Sequence, residues 1–401
     1  MNGHSMRFAY AALLAATLGS LCGVTNAQTA GKVIKLGTFA PETGANSGAY
    51  PIAQATSAFF KALNAAGGIN GYTFDYVIMD DQYNPALTVS AVRKLVEQDE
   101  IFAIVDGVGT GPTLAVKPYL EAHKMPNIAP STGAAAAAGP HTYLMEQDFT
   151  NEGAYQARYA AQQLTKNGKL AVLYQNDDVG KTYLKGVQYE AHQNSKIELT
   201  AIPFQLGTLD LTPAVSRAKQ SGADVVIISA TPQDFAPIIK AADALAYTPK
   251  WLSLNSAASS DILKQLPPTQ TQNMYFSVWT ALPGTPDVQE MNAALAKYYP
   301  SVRPSALTIQ GWIPGTIFAE AFRRMTDGGK PPTREGLMAA LDSFKGYSNS
   351  YIRNITYAPT PGIESPHLPR PHEAITKWGD GKLQLVTPFQ EVPKVAGQPG
   401  Q

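Results

Sequence analysis

Residues 62–96 read ALNAAGGINGYTFDYVIMDDQYNPALTVSAVRKLV. This stretch decides the fold class, because it holds a helix end, a strand, an acidic turn and a new helix with no spare residues. Gly67 and Gly68 suit the left-handed conformation that closes a helix, Tyr72 to Met79 alternates and is rich in β-formers, and Asn84 caps a helix opened by Pro85. The arrangement is a βαβ signature. A tight strand-to-helix turn presents backbone N–H groups at one edge of a sheet, where open α/β proteins bind small ligands.

The rhythm extends in both directions. Strands are expected at 33–39, 73–79, 102–107 and 126–131, separated by helical segments, with Ile52, Ala55, Phe59 and Leu63 forming the apolar face of the first helix. It restarts at 169–176, 197–204, 224–230, 250–256 and 273–280, where Thr212-Pro213 and Thr231-Pro232 open helices. Alternation on this spacing predicts parallel sheets in two α/β lobes. Past Trp279 come helical segments near 287–299, 308–326 and 333–343, then β-like pieces at 351–357 and 374–387 around a proline-rich loop, 359–371. So few strands make a poor third domain. The expected division is a leader over 1–27, a first lobe of 28–146 plus 281–360 and a second of 147–280 plus 361–395. The chain then crosses between lobes more than once, which makes a hinge beneath a ligand cleft.

Composition narrows the function. The chain has 401 residues, 31 basic and 31 acidic, with 44% apolar residues. That length supports more than one core, and a neutral balance without a basic run argues against nucleic acid as a partner. Arg7, the apolar run Phe8 to Leu21 and the small-x-small end Thr25-Asn26-Ala27 read as a secretory leader cleaved near Ala27. The single cysteine, Cys22, falls inside that leader. Lipidation there would want a small residue before it, and Leu21 is large.

Motifs for catalysis are thin. There is no GxSxG, no HExxH, and the histidines are scattered, so an enzyme, a metal centre or a cofactor is not expected. His367 and His372 read as a solvated loop, and Asp80-Asp81 as turn and helix-dipole residues rather than an acid–base pair. Among aromatics, Trp279 or Phe149 is expected to line the cleft. The better candidate is the turn Gly107-Val108-Gly109-Thr110-Gly111-Pro112-Thr113, whose N–H groups and hydroxyls suit a small anion although it is not GxGxxG. Ser131, Thr132 and Gly133 end the next strand at the same sheet edge, and two adjacent polar turns make a carboxylate cradle.

These motifs in order, with IKLGTFAPETGANSGAY (34–50), NIAPSTG (127–133) and LAVLYQNDDVGKTYLKG (170–186), resemble the type I periplasmic substrate-binding proteins of ABC importers, of the branched-chain amino acid-binding kind. The resemblance covers the chain beyond the leader. It implies two Rossmann-like lobes, a three-crossing hinge, a cleft that closes on ligand, a periplasmic monomer and permease subunits as partners. It also implies that the ligand carboxylate meets Gly109, Thr110, Gly111, Ser131, Thr132 and Gly133. Asn46 and Ser47 fall where the family often places an aromatic ring, Asp178 and Val179 where a tyrosine is common, and Thr231 and Asn255 where the ligand's amino end is held.

Asn255 departs from the acid that amino acid binders place there. A neutral amide leaves a buried ammonium poorly compensated, which favours a small organic acid, aromatic among them, slightly over an amino acid. Asp178 keeps the amino acid reading open by standing near the same cleft. Two other functions fit the same lobes, a ligand sensor for a membrane or regulatory partner and an exported α/β enzyme. Permease and ATPase genes beside this one would mark the importer, and turnover of a bound ligand would mark the enzyme.

Overall fold

The structure is a computed structural model describing residues 32–358 and 367–396. The expected leader lies outside the described residues, as does 359–366 of the proline-rich loop.

β1 (Lys32–Ala40), β2 (Tyr72–Asp80), β3 (Ala103–Val105), β4 (Asn127–Ile128) and β5 (Thr142–Tyr143) form an all-parallel sheet in the order β2-β1-β3-β4-β5. A second sheet runs β12-β11-β10-β9-β8-β6-β7. Its strands are β6 (Lys169–Gln175), β7 (Glu198–Phe204), β8 (Val225–Ser229), β9 (Lys250–Ser253), β10 (Met274–Val278), β11 (Ala374–Gly379) and β12 (Lys382–Leu385). Strands β6 to β10 pair in parallel, whereas β10, β11 and β12 are antiparallel. Every residue of β8, VVIIS, is buried, as expected of a parallel strand covered on both faces.

Helices α1 (Pro51–Ala65), α2 (Pro85–Glu97) and α3 (Thr110–Ala122) follow the first strands. Helices α4 (Phe149–Tyr159), α5 (Asp178–Gln193), α6 (Thr212–Gln220) and α7 (Pro232–Ala244) serve the second sheet, with the short α8 (Ser260–Leu263) and α9 (Pro268–Thr271) after them. Returning chain adds α10 (Gln289–Tyr298), α11 (Ala306–Thr326) and α12 (Arg334–Asp342) to the core of the first sheet. The opening motif folds as read: Asn84 Oδ1 accepts the N–H of Ala86, and Pro85 starts α2.

Between the first sheet, α1 and α11 lies a ring cluster in which Phe59, Phe74 and Phe318 make edge contacts, with Trp312 5.0 Å from Phe59. Such pairs add about 0.5–1.5 kcal/mol each beyond the area buried. Leu95, Ile104 and Leu120 cover the opposite face of the same sheet.

Two expectations fail. The segment 351–357 is no strand, because Asn349 Oδ1 accepts the N–H groups of Tyr351 and Ile352 and closes a tight loop, leaving only bridges at Ile352 and Ile355. His367 is buried rather than solvated, stacked 3.8 Å from Tyr143 and bonded to the Gly139 carbonyl and to Asp342.

The chain passes between the sheets after β5, after β10 and before β11. The passing segments are tied together: Leu144 N–H donates to His367 O at 3.0 Å, the Gln147 amide to Pro371 O at 3.3 Å, and Ala281 N–H to Tyr351 O at 2.8 Å.

The packing of α11 on α1 is close enough to test. A Cβ at Gly311 would stand 2.0 Å from the Ile52 carbonyl oxygen. Gly311→Ala should therefore lower stability by about 1–3 kcal/mol in urea unfolding, and an unchanged midpoint would show slack between the helices.

Candidate functional site

A cleft opens at the carboxyl ends of both sheets. Its walls come from the residues after β3, β4, β8 and β9 together with the starts of α1, α5 and α11. That is where open α/β sheets gather ligand-contacting turns.

The two predicted turns do meet. Val108 bridges Ser131, and Gly109 N–H donates to Ser131 O at 3.2 Å. Of the residues expected in the site, Asn46, Gly109, Thr110, Ser131, Val179, Thr231 and Asn255 line the cleft. Trp279 and Phe149 both do so as well.

Ser47, Gly111, Thr132, Gly133 and Asp178 are not among the lining residues. Ser47 and Asp178 are exposed, and Asp178 opens α5 behind the cap residue Asp177. At Gly133 an added Cβ would meet Gln147 O at 2.2 Å, so that glycine serves packing. Thr132 supports Thr110 from behind. Its hydroxyl accepts the Ala134 N–H and pairs with the Thr110 hydroxyl at 2.7 Å. With Thr132 as donor, the Thr110 proton is left for the cleft.

The Ser131 hydroxyl is committed elsewhere, donating to Asp106 Oδ1 at 2.8 Å. Asp106 also takes the Thr56 hydroxyl at 2.7 Å, yet burial pushes its carboxyl well above the usual range.

Asn255 Oδ1 accepts from the Thr280 hydroxyl at 3.0 Å, which leaves Nδ2 buried without a partner. Across the cleft, Asn46 Oδ1 is a buried acceptor without one. Buried polar atoms of this kind are uncommon, and each needs a reason.

Sequence reasoning did not reach Tyr83, Glu146, Glu152 and Gln310, all of which line the cleft. Glu146 takes a hydrogen bond from the Gln310 amide at 2.5 Å, and Glu152 one from the Ser277 hydroxyl at 2.5 Å. Glu146 is held well above the ordinary range by burial and by the Glu152 charge, and Glu152 is raised by burial to about 7. Glu373 stands beside Glu152 and is raised by burial and by that same charge. Asp148 caps α4 through the Asn151 N–H, and burial lifts its carboxyl to about 6.

Among the described residues lining the cleft there is no Lys, Arg or His. No group of three or more metal-ligating side chains occurs among the described residues either. The cleft thus offers donors at the start of α3 and at Asn255, and acceptors at Glu146, Glu152 and Asn46, with apolar walls from Ile52, Val179, Leu254 and Trp279. A molecule with an anionic and a cationic end, or one rich in both acceptors and donors, matches that distribution.

The buried acids fix a pH dependence. A carboxyl whose folded pKa lies above its unfolded one binds protons more tightly when folded, so stability falls as pH rises between the two values. For Glu152 and Asp148 that decline runs from about pH 4 to about pH 7. Scanning calorimetry between pH 5 and pH 8 should show Glu152→Gln losing less of its Tm than the parent, and equal losses would remove Glu152 from the account.

With the geometry established, comparison with known proteins is direct. A family model described as periplasmic binding protein matches residues 33–364. An amino acid binding protein of Pseudomonas aeruginosa is 25% identical over 256 residues, 62% of this chain and 67% of that protein. A branched-chain amino acid ABC transporter protein from Thermus thermophilus with bound valine superposes with TM-score 0.77 at 20% identity, covering 90% of this chain and 97% of that one. A fatty acid ABC transporter substrate-binding protein from Thermomonospora curvata gives 0.76 at 22% identity, covering 90% and 92%. The two solved structures share the fold, and the family model spans most of the sequence. The chain belongs to the periplasmic binding protein family.

Proposed function

We propose that this chain is the solute receptor of an ABC importer, closing its lobes in the periplasm on a small amino acid with an apolar side chain and presenting it to permease subunits. The observation that carries the ligand class is the pair Glu146 and Glu152 in a cleft that has no base among the described residues lining it. An ammonium placed there gains charge-assisted hydrogen bonds and relieves two buried carboxyls, while its carboxylate meets the Thr110 hydroxyl and the start of α3. The neutral Asn255 first pointed towards an organic acid. The acid missing at that position is supplied from the other side of the cleft, and the Asn255 amide donates. Relatives bind in keeping with this: one is named for amino acids, and another holds valine.

The second reading, an organic acid, is favoured by the same burial. A carboxyl kept protonated is a hydrogen-bond donor and can hold a carboxylate, and a fatty acid receptor shares the fold. Calorimetry with leucine, phenylalanine, benzoate and phenylpyruvate separates the two. The amino acids should bind and their deaminated counterparts should not. Glu146→Gln should weaken leucine by about 1.5–3 kcal/mol, the usual worth of a hydrogen bond to a charged group. Equal or tighter binding of phenylpyruvate would reverse the assignment, and turnover of any bound ligand would replace the receptor with an enzyme.

A further inference from the structure

Tyr83 sits in the cleft wall on a turn built at some cost. Gln82 and Tyr83 are consecutive non-glycine residues in the left-handed region, at φ 55 and 58. The turn is held by the acid pair before it: Gln82 N–H donates to Asp80 Oδ1 and Tyr83 N–H to Asp81 Oδ1, each at 3.0 Å. The second Asp81 oxygen takes the Thr88 hydroxyl at 2.8 Å, anchoring the turn to α2. Strain of this kind is kept only where surrounding bonds over-determine it.

The turn lays the Tyr83 ring over Gly109. A Cβ there would lie 2.3 Å from Tyr83 Cε2, and Gly109 itself has φ 109, so both the space and the backbone require glycine. The hydroxyl then faces the backbone N–H of Thr110, the first residue of α3, with Asp81 on its own lobe and Asp177 and Asp178 on the other. This is the position that an anion would take at a bare helix N-terminus. Asn255, whose Nδ2 is buried without a partner, lines the same cleft.

We infer that Tyr83 is a ligand-binding residue, its hydroxyl extending the start of α3 so that the ligand's carboxylate is held by the Tyr83 and Thr110 O–H groups instead of by bare backbone N–H groups. The phenol oxygen faces the Thr110 N–H, and its one proton is left to donate. A hydroxyl that accepts a bond at its oxygen is the stronger donor. The inference rests on the receptor reading, and it gives the Asp80-Asp81 pair a purpose: the acids bind nothing themselves but fix the residue that does.

The test is calorimetry of wild-type protein and Tyr83→Phe with leucine and phenylalanine. The ring and its packing on Gly109 survive in the variant, so a purely structural role predicts equal binding, with any loss confined to the Tm. The inference predicts affinity weaker by about tenfold or more. In wild-type protein carrying ¹³Cζ-labelled tyrosine, leucine should shift one resonance, the one that Tyr83→Phe removes. Affinity within twofold of wild type, or no shift of that resonance, overturns the inference alone. Wild-type protein that binds none of leucine, phenylalanine, benzoate and phenylpyruvate overturns the receptor reading and this inference with it.

Discussion

Glu146, Glu152 and Glu373 are buried where the chain passes between its two sheets, and a buried carboxyl without a base constrains everything placed near it. Such a group either keeps its proton or acquires a cation, since leaving it charged and alone in a low-dielectric interior is costly. The surroundings here supply neutral donors, the Gln310 amide and the Ser277 hydroxyl, and among the described residues no lysine, arginine or histidine lines the cleft. Glu146 and Glu152 share one short segment and Glu373 comes from a distant one, so its approach to them depends on the crossings being tied together by bonds such as Leu144 N–H to His367 O.

The rest of the site follows from that constraint. Both sheets turn the carboxyl ends of their parallel strands towards one cleft, and the turns after β3, β4, β8 and β9 line it. On one side stand the start of α3, the Thr110 hydroxyl and Tyr83; on the other, the acid floor. A ligand with charges of both signs finds each matched, and the walls of Ile52, Val179 and Trp279 accommodate an apolar side chain. Lobe closure around such a ligand would exclude water and strengthen each of these interactions.

Much of the fold is legible in the sequence: β6 to β10 fall within the expected segments, β8 as the apolar run of a strand buried on both faces, and β1 and β2 overrun theirs by one residue at each end. The meeting of the two polar turns after β3 and β4 is legible as turn chemistry. What was hidden depends on distant partners. Ser131 looks like a free hydroxyl until Asp106 is seen to accept its hydrogen bond. His367 looks like a loop residue until it stacks on Tyr143. β5 has only two residues and no pattern to detect. The acid floor joins positions 146 and 152 to 373, which no local window unites. The signal that was available is the cluster Glu146, Asp148, Glu152, an unusual density of acids for a buried passage.

The central claim is that a cationic ligand group replaces the protons on these carboxyls. Titrating wild-type protein with leucine at pH 7 in two buffers of different ionisation enthalpy measures proton exchange directly. The account predicts net proton release on binding, abolished or much reduced in Glu146→Gln. Binding with no exchange, or with proton uptake, would contradict it.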